Sequence, residues 1–314
     1  MKKFLIYIFT IIILSQANNL FAQQDLMTNN KINNQSIINP AYKSFHDRGT
    51  LIFHHRSQWV GFNGAPVTDM VLFNSKTVYD NMVMGGAIIN DNIGPTNNLN
   101  LRFNYNYAIE ITRKSEIVFG ANAGFNIISN KFSNIALTDP NDAAFAYDNN
   151  SVFTPNIGLG VFYHTYQFYA GISVPSIIQS KPKDGFVNLK RHYYIISGAN
   201  LRINKRDKYM FQPKLLIKMV PGAPIQYDLN LDFLLSYNYI LGIAYRSGDI
   251  IGINLGMDIV ENLTLLYSFG YSFSNTSFKY NGGSHEVMLR YLMTKFKKIN
   301  ITKRRHRIGK GNRI

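Results

Sequence analysis

The sequence predicts an all-β protein, a transmembrane antiparallel β-barrel of about 14 strands with a short N-terminal plug-like segment. Apolar and polar residues alternate with a period of two, which is typical of β-strands because successive side chains point to opposite faces. Most alternating segments are also long enough to cross a bilayer, which takes a strand of about 9–11 residues. The connections between them fall into a short and a long population, as in outer-membrane barrels.

Residues 1–22 are predicted to be a secretory signal peptide. Two lysines at positions 2 and 3 precede an apolar run over residues 4–14, which has the length of a signal-peptide core and is too short to span a membrane. Cleavage after Ala17 or after Ala22 fits the sequence. Export argues against nucleic acid, the usual partner of a basic chain, although the formal charge is +15.

Residues 23–49 are predicted to form an N-terminal periplasmic segment that folds into the barrel as a plug. An Asn-rich stretch at 29–39 runs into the sequence NPAY. Asn side chains can cap main-chain groups and Pro fixes a bend in the chain. The candidate plug residues are Asn39, Pro40, Ala41 and Tyr42.

Residues 50–295 contain the barrel strands. In NLNLRFNYNYAIEI, residues 98–111, the odd positions are large apolar residues that we expect to face lipid, and most even positions are Asn. The even positions are expected to line the interior, which predicts a polar lumen. The candidate strands are 50–60, 67–75, 82–90, 97–111, 115–129, 152–164, 166–175, 192–204, 208–220, 225–236, 239–246, 249–260, 262–273 and 284–295.

An even number of strands predicts that both termini lie on one side of the membrane. The connections on that side are tight, and the long ones follow odd-numbered strands, which predicts periplasmic termini. One connection, at 247–248, is short and breaks this trend. The long connections are expected at 91–96, 130–151, 176–191 and 274–283.

Residues 296–314 form a strongly basic tail. From Lys295 onward the chain carries nine Lys and Arg residues and no acidic residue, so this block cannot pack a core by itself. It is either a solvated end or a periplasmic docking element for an acidic partner. The candidate docking residues are Lys303, Arg304, Arg305 and Arg307.

The sequence contains no pattern that indicates an enzyme. It has no Cys, which excludes a disulfide framework and thiolate chemistry, and it lacks the Gly-rich, GxSxG and HExxH motifs. His54 and His55 are adjacent in a predicted strand, so their rings point to opposite faces and cannot ligate one ion together. A non-enzymatic protein without cofactor or metal is therefore expected.

The stretch RSQWVGFNGAPVT, residues 56–68, holds the single Trp and is a candidate partner-binding loop. Its glycines could instead serve only a tight turn, and its Trp could be an interfacial anchor. The candidate residues are Arg56, Gln58, Trp59, Gly61, Gly64, Ala65 and Pro66.

These motifs together resemble the PorP/SprF family of type IX secretion system outer-membrane proteins. The matching elements are INPAY at 38–42, the RxQWxGxxGAPxT stretch, NDNIG at 90–94 and a late G-x-HE-x-x-L-x-Y strand. The resemblance implies a barrel that is surrounded by outer-membrane lipid. It also implies that the barrel works with other type IX secretion components and a secreted surface protein such as a gliding adhesin.

The NPA element is also similar to the N-terminal hatch of the FadL family. That resemblance implies an alternative function, a passive channel for a small hydrophobic compound. Such a channel needs an apolar pocket, whereas the expected lumen is polar, and the sequence therefore favours the secretion function.

Overall fold

The structure is a computed structural model that describes residues 33–43, 49–77, 81–131, 149–179, 190–203, 209–236, 238–248, 250–273 and 282–293. Within these residues, fourteen antiparallel strands form a closed barrel, which confirms the predicted fold. The ring closes where the first strand pairs with the last, with Arg56 opposite Glu286. The strands are β1 (Thr50–Ser57), β2 (Val67–Lys76), β3 (Met82–Ile93), β4 (Thr96–Thr112), β5 (Ser115–Asn130), β6 (Asn149–Thr165), β7 (Phe168–Val174), β8 (Tyr193–Ala199), β9 (Leu201–Arg202), β10 (Tyr209–Met219), β11 (Gln226–Leu235), β12 (Tyr239–Arg246), β13 (Ile250–Val260), β14 (Leu263–Ser272) and β15 (Ser284–Leu292).

The two-residue strand β9 is not counted in the ring of fourteen. It pairs with β10 in the same register as β8 does, with Leu201 opposite Phe211 and Gly198 opposite Lys214. Asn200 separates β8 from β9, and its main-chain N–H bonds to the carbonyl of Gln167. The two segments therefore continue each other along β10.

The alternating pattern separates an outer face from an inner face as expected. In β4, Phe103 is 72% exposed on the outside, whereas the next residue, Asn104, is 7% exposed on the inside. The closed ladder satisfies the main-chain groups of each strand within the barrel. Among the described residues, no helix is long and apolar enough to span a membrane.

The two ends of the barrel differ in the length of their connections. The end at which β1 begins and β15 ends, here called the turn end, has two-residue turns at 113–114, 166–167 and 261–262. The opposite end, here called the loop end, carries the connections 58–66 and 175–192.

Two predicted boundaries at the loop end were wrong. The expected long connection at 91–96 is only Gly94 and Pro95, because β3 and β4 stay paired up to Ile93 and Thr96. The first strand ends at Ser57 and not at residue 60, because Trp59 leaves the extended conformation with φ +51°.

The lumen is polar only in part, which corrects the expectation of a polar interior. Two clusters of buried apolar side chains lie in the lumen. In both, apolar residues of the N-terminal segment pack against apolar residues of the barrel wall. One cluster joins Ile38 and Ala41 to wall residues of β4–β8 and β10, among them Val118, Phe162, Ile196 and Leu216. The other joins Ile37 to Ile52, Met70, Leu72, Ala87, Ile89, Leu266 and Met288.

Candidate functional site

Residues 33–43, here called the inner segment, lie inside the barrel. A short 3-10 helix, Gln35–Ile37, is buried along its whole length. Asn39 then accepts a hydrogen bond at Oδ1 from the N–H of Ala41 at 2.9 Å, a local turn that Asn favours. Pro40 lies within this turn, where its lack of an N–H costs no hydrogen bond.

Asn39 binds the main chain of the barrel wall. Its Nδ2 donates to the carbonyl oxygen of Val161 at 3.2 Å and to that of Ile172 at 3.4 Å. These two residues face each other across β6 and β7. The side chain of Asn39 is fully buried, so the hydrogen bonds replace those that water would supply.

Three glycines of the wall make room for the inner segment. A Cβ added at Gly160 would overlap Oδ1 of Asn39, and one added at Gly171 would lie 2.6 Å from its Nδ2. A Cβ at Gly120 would overlap the main chain of Ala41. Glycine is therefore required at these strand positions by the close approach of the inner segment.

Side chains of the wall satisfy carbonyl groups of the inner segment. Ser173 donates through its hydroxyl to the oxygen of Ile38 at 2.6 Å. Arg102 donates to the oxygen of Ile37 at 3.2 Å, and Asn106 to that of Tyr42 at 2.8 Å. Since unpaired buried carbonyls are costly, these contacts hold the segment in one position.

Charged residues bind both ends of the inner segment. At its start, Nζ of Lys214 lies 2.7 Å from Oδ1 of Asn33 and 2.8 Å from a carboxylate oxygen of Asp232. At its end, Lys43 forms an ion pair with Glu116. His164 approaches the same carboxylate oxygen at 3.3 Å.

The inner segment borders a large cavity in the lumen. This cavity of about 1490 Å³ lies on its turn-end side, and the lining includes Asn33–Ser36, Tyr42 and Lys43. The structure thus places Asn39, Pro40, Ala41 and Tyr42 inside the barrel, where Ala41 belongs to the first apolar cluster and Tyr42 packs against it. That they block passage through the barrel stays a prediction.

Arg56 belongs to the interior and not to the loop in which the sequence placed it. It is 2% exposed, and its Nε lies 2.9 Å from one carboxylate oxygen of Glu286. His54 lies 3.3 Å from the other oxygen of the same carboxylate. Sequence reasoning missed this cluster, because it forms where the first and last strands meet.

His54 and His55 point to opposite faces, as expected from their adjacent positions. The side chain of His54 is fully buried, whereas that of His55 is 53% exposed and pairs with Asp69 at 2.7 Å. In the described part of the chain, no group of three or more His, Asp or Glu residues could hold a metal ion.

The loop 58–66 is bonded to its neighbours on both sides. Val60 exchanges main-chain hydrogen bonds with Gly282 and Gly283, the residues before β15. On the other side, the N–H of Gly94 donates to the carbonyl of Gly64 at 3.0 Å. The loop is therefore part of a continuous hydrogen-bonded rim.

The predicted loop residues differ in exposure. Gly61 and Gly64 are exposed and adopt φ +96° and +77°, the left-handed conformations that glycine tolerates. Gln58, Trp59 and Ala65 are half-buried and Pro66 is buried. The large exposed residues of the loop are instead Val60 and Phe62, at 44% and 53%.

Several predictions fall outside the described residues. These are the signal peptide, most of the long connections at 130–151, 176–191 and 274–283, and the basic tail with Lys303, Arg304, Arg305 and Arg307. They stay predictions.

The chain was compared with curated sequences, solved structures and protein-family models. No curated protein sequence matches the chain. Among solved structures, the chain is similar to the CymD monoaromatic hydrocarbon channel, with 11% identity, a TM-score of 0.51, and coverage of 87% of this chain and 94% of that one. The outer membrane protein Omp33 of Acinetobacter baumannii matches with 7% identity, a TM-score of 0.46, and coverage of 80% and 99%. At such identities the likeness to CymD shows the barrel fold alone. The family model described as "Type IX secretion system membrane protein PorP/SprF" matches residues 20–291, and the chain therefore belongs to the PorP/SprF family.

Proposed function

We propose that this protein is a non-enzymatic outer-membrane component of the type IX secretion system that acts in the export or surface attachment of a cargo protein, such as a gliding adhesin. Family membership and the closed barrel support the outer-membrane and secretion parts of this proposal. The observation that carries it is the inner segment, whose Asn39 is bound to the wall inside the lumen. In this proposal the inner segment plugs the barrel, which then offers its two ends to protein partners.

In this proposal the turn end faces the periplasm and the loop end faces the cell exterior. The short turns at 113–114 and 166–167 and the longer connections at the other end support this orientation. Both termini are then periplasmic, where the basic tail can meet other secretion components. The rim formed by residues 58–66, with exposed Val60 and Phe62, is then available to a secreted surface protein.

Deletion of the gene tests the proposed function. The expected result is that one or more type IX cargo proteins are missing from the surface proteome and accumulate in the cell, and that the wild-type gene restores them. A surface proteome identical to that of the parent strain would refute the secretion role.

The apolar part of the lumen supports a second candidate function, a FadL-like passive channel for a small hydrophobic compound. Buried residues such as Met70, Leu72 and Leu266 supply the apolar lining that such a channel needs. The same deletion strain separates the two functions. A channel predicts normal surface proteins together with slower uptake of a hydrophobic substrate, whereas the secretion role predicts lost cargo and normal uptake.

A further inference from the structure

The cavity at the turn end, here called the turn-end vestibule, is large, and the charged contacts at both ends of the inner segment lie in its lining. Its volume of about 1490 Å³ exceeds the roughly 300–1,000 Å³ typical of small-molecule sites. The inner segment forms one boundary of this cavity, and the turns 113–114 and 166–167 contribute to its lining. The vestibule therefore has room for a segment of polypeptide.

The charges that line the vestibule are mostly positive. Seven Lys and Arg residues line it against three acidic residues. Two of these acids are already matched inside, Glu116 by Lys43 and Asp232 by Lys214. The lining also contains Glu110 and five further cations. These cations are Lys76, Arg113, Lys114, Arg202 and Arg290.

Such an arrangement attracts an acidic ligand. A cleft that is lined by charges of one sign and has walls of low dielectric constant focuses the field and raises the local concentration of counter-charged groups. Arg113 and Lys114 lie exposed in the turn between β4 and β5. They are therefore in a position to meet an approaching ligand first.

The remaining lining suits a peptide better than a bare anion. The side-chain amide of Gln167 lines the cavity beside Asn200 and Gln212, which are hydrogen-bonded to each other at 2.9 Å. Such amides carry both donors and acceptors, which a peptide main chain needs. Tyr163 and Tyr166 add aromatic surface, and the guanidinium of Arg202 lies 4.4 Å from the centre of the Tyr166 ring.

The two terminal segments of the chain do not match the vestibule in charge. Its C-terminal block from Lys295 onward has nine basic residues and no acidic residue, so the vestibule would repel it. Residues 23–32, which precede the inner segment, contain one Asp and one Lys and are neutral overall. Charge complementarity therefore points to another protein.

We propose that the turn-end vestibule is a docking site for an acidic peptide segment of a partner protein. The proposal rests on the proposed function only for the location of that partner, which would be the periplasm. Binding itself is a property of the purified barrel, so its failure is distinguishable from a failure of the cargo experiment above.

The experiment measures fluorescence anisotropy of fluorescein-labelled hexaglutamate with the full-length barrel in a non-ionic detergent. Hexaglutamine is the neutral probe. We expect saturable binding of hexaglutamate alone, lost in about 1 M NaCl, where charge interactions are screened beyond about 3 Å. The Arg113→Gln/Lys114→Gln variant should bind at least about fivefold more weakly, as expected for the loss of two exposed charge contacts.

Two controls keep the test specific. Lys131→Gln/Lys190→Gln removes the same charge at the loop end and should leave the affinity unchanged. Neutralising Lys303, Arg304, Arg305 and Arg307 should also leave hexaglutamate binding in place. Equal binding of both peptides, or equal loss in the turn-end and loop-end variants, would overturn the proposal. Binding of inorganic triphosphate without binding of hexaglutamate would also overturn it, in favour of a phosphate site.

Discussion

The side chain of Asn39 occupies the space that Gly160 leaves open in the barrel wall. Asn39 is fully buried there, and any Cβ at position 160 would overlap its Oδ1. The two residues are 121 positions apart in the sequence. Gly160 of β6 thus has no side chain at the place where the hydrogen-bonding amide of Asn39 packs against the wall.

We expect Gly160→Ala to open a path for water through the barrel. The added methyl group forces Asn39 away from Val161 and Ile172, whose carbonyls it binds. Strand pairing does not involve the inner segment, so the variant should still insert into the outer membrane. Higher single-channel conductance in planar bilayers and faster uptake of small polar antibiotics are the expected readouts.

Gly86→Ala is the matched control, because Gly86 is not within reach of the inner segment. There an added Cβ has the carbonyl oxygen of Arg102 as its nearest neighbour, at 3.3 Å, and conductance should stay at the wild-type value. Removal of residues 25–42 should give the largest increase. If that deletion leaves conductance unchanged, other segments fill the lumen, such as the connections within 130–151 or 176–191.

Glu286 is expected to be essential for the stability of the barrel. It is fully buried between His54 and Arg56, and Glu286→Leu would leave the Arg56 guanidinium buried without its counter-charge. Loss of one partner of a buried ion pair costs about 3–5 kcal/mol. The urea concentration at the midpoint of unfolding should fall accordingly. Unfolding is monitored by heat-modifiable migration in SDS gels.

The exposed pair of His55 and Asp69 provides the comparison for Glu286. Both side chains are more than half exposed, so Asp69→Asn should change the free energy of unfolding by at most about 1 kcal/mol. The double variant Arg56→Met/Glu286→Leu should recover much of the lost stability, because it removes both charges of the buried pair together. Equal midpoints for Glu286→Leu and wild type would show that the buried pair contributes nothing.

Gly282→Ala is expected to detach the loop 58–66 from its neighbour. An added Cβ at Gly282 would overlap the carbonyl oxygen of Val60, which accepts the hydrogen bond from the Gly282 N–H. Limited proteolysis of the purified barrel should then cleave the loop faster than in wild type. Gly61→Ala is the control. The added atom has open space around it, but the φ of +96° makes the substitution strained. It should cost about 1 kcal/mol of local strain and should leave the loop bonded to Gly282 and Gly283. Unchanged cleavage of Gly282→Ala would show that the rim does not depend on this contact.

The sequence predicts the barrel well because strand formation depends on a local pattern. The alternation in β4 is strict, and Phe103 and Asn104 do lie on opposite faces. The same pattern does not show which strand meets which across the closing seam. The pairing of Arg56 with Glu286 spans most of the chain, and no local signal predicts it.

The apolar part of the lumen was missed because it lies where the alternation weakens. Ile52, Leu72 and Ile89 are buried on the inner face, yet each sits in a run such as LIF, VLF or AII that is apolar on both faces. Such runs are the available signal that an inner surface packs against protein and not water. The space for the Asn39 side chain depends on Gly160 of β6 and Gly171 of β7. The sequence does not show that these two glycines lie close together.

The basic tail, which lies outside the described residues, is expected to act as a periplasmic docking element. Its charges are clustered, with Lys303, Arg304, Arg305 and Arg307 within five positions, so they should attract an acidic partner surface at long range. Replacing these four residues by Gln should spare membrane insertion and release the barrel from its partners in a pull-down. Screening shortens such attraction to about 8–10 Å at ordinary ionic strength, and recovery of partners by the wild-type protein should therefore fall steeply as salt rises. The Lys131→Gln/Lys190→Gln variant, altered at the loop end, should recover the same partners as wild type. If the tail variant also retains them at both low and high salt, the tail is only a solvated end and the partners bind elsewhere on the barrel.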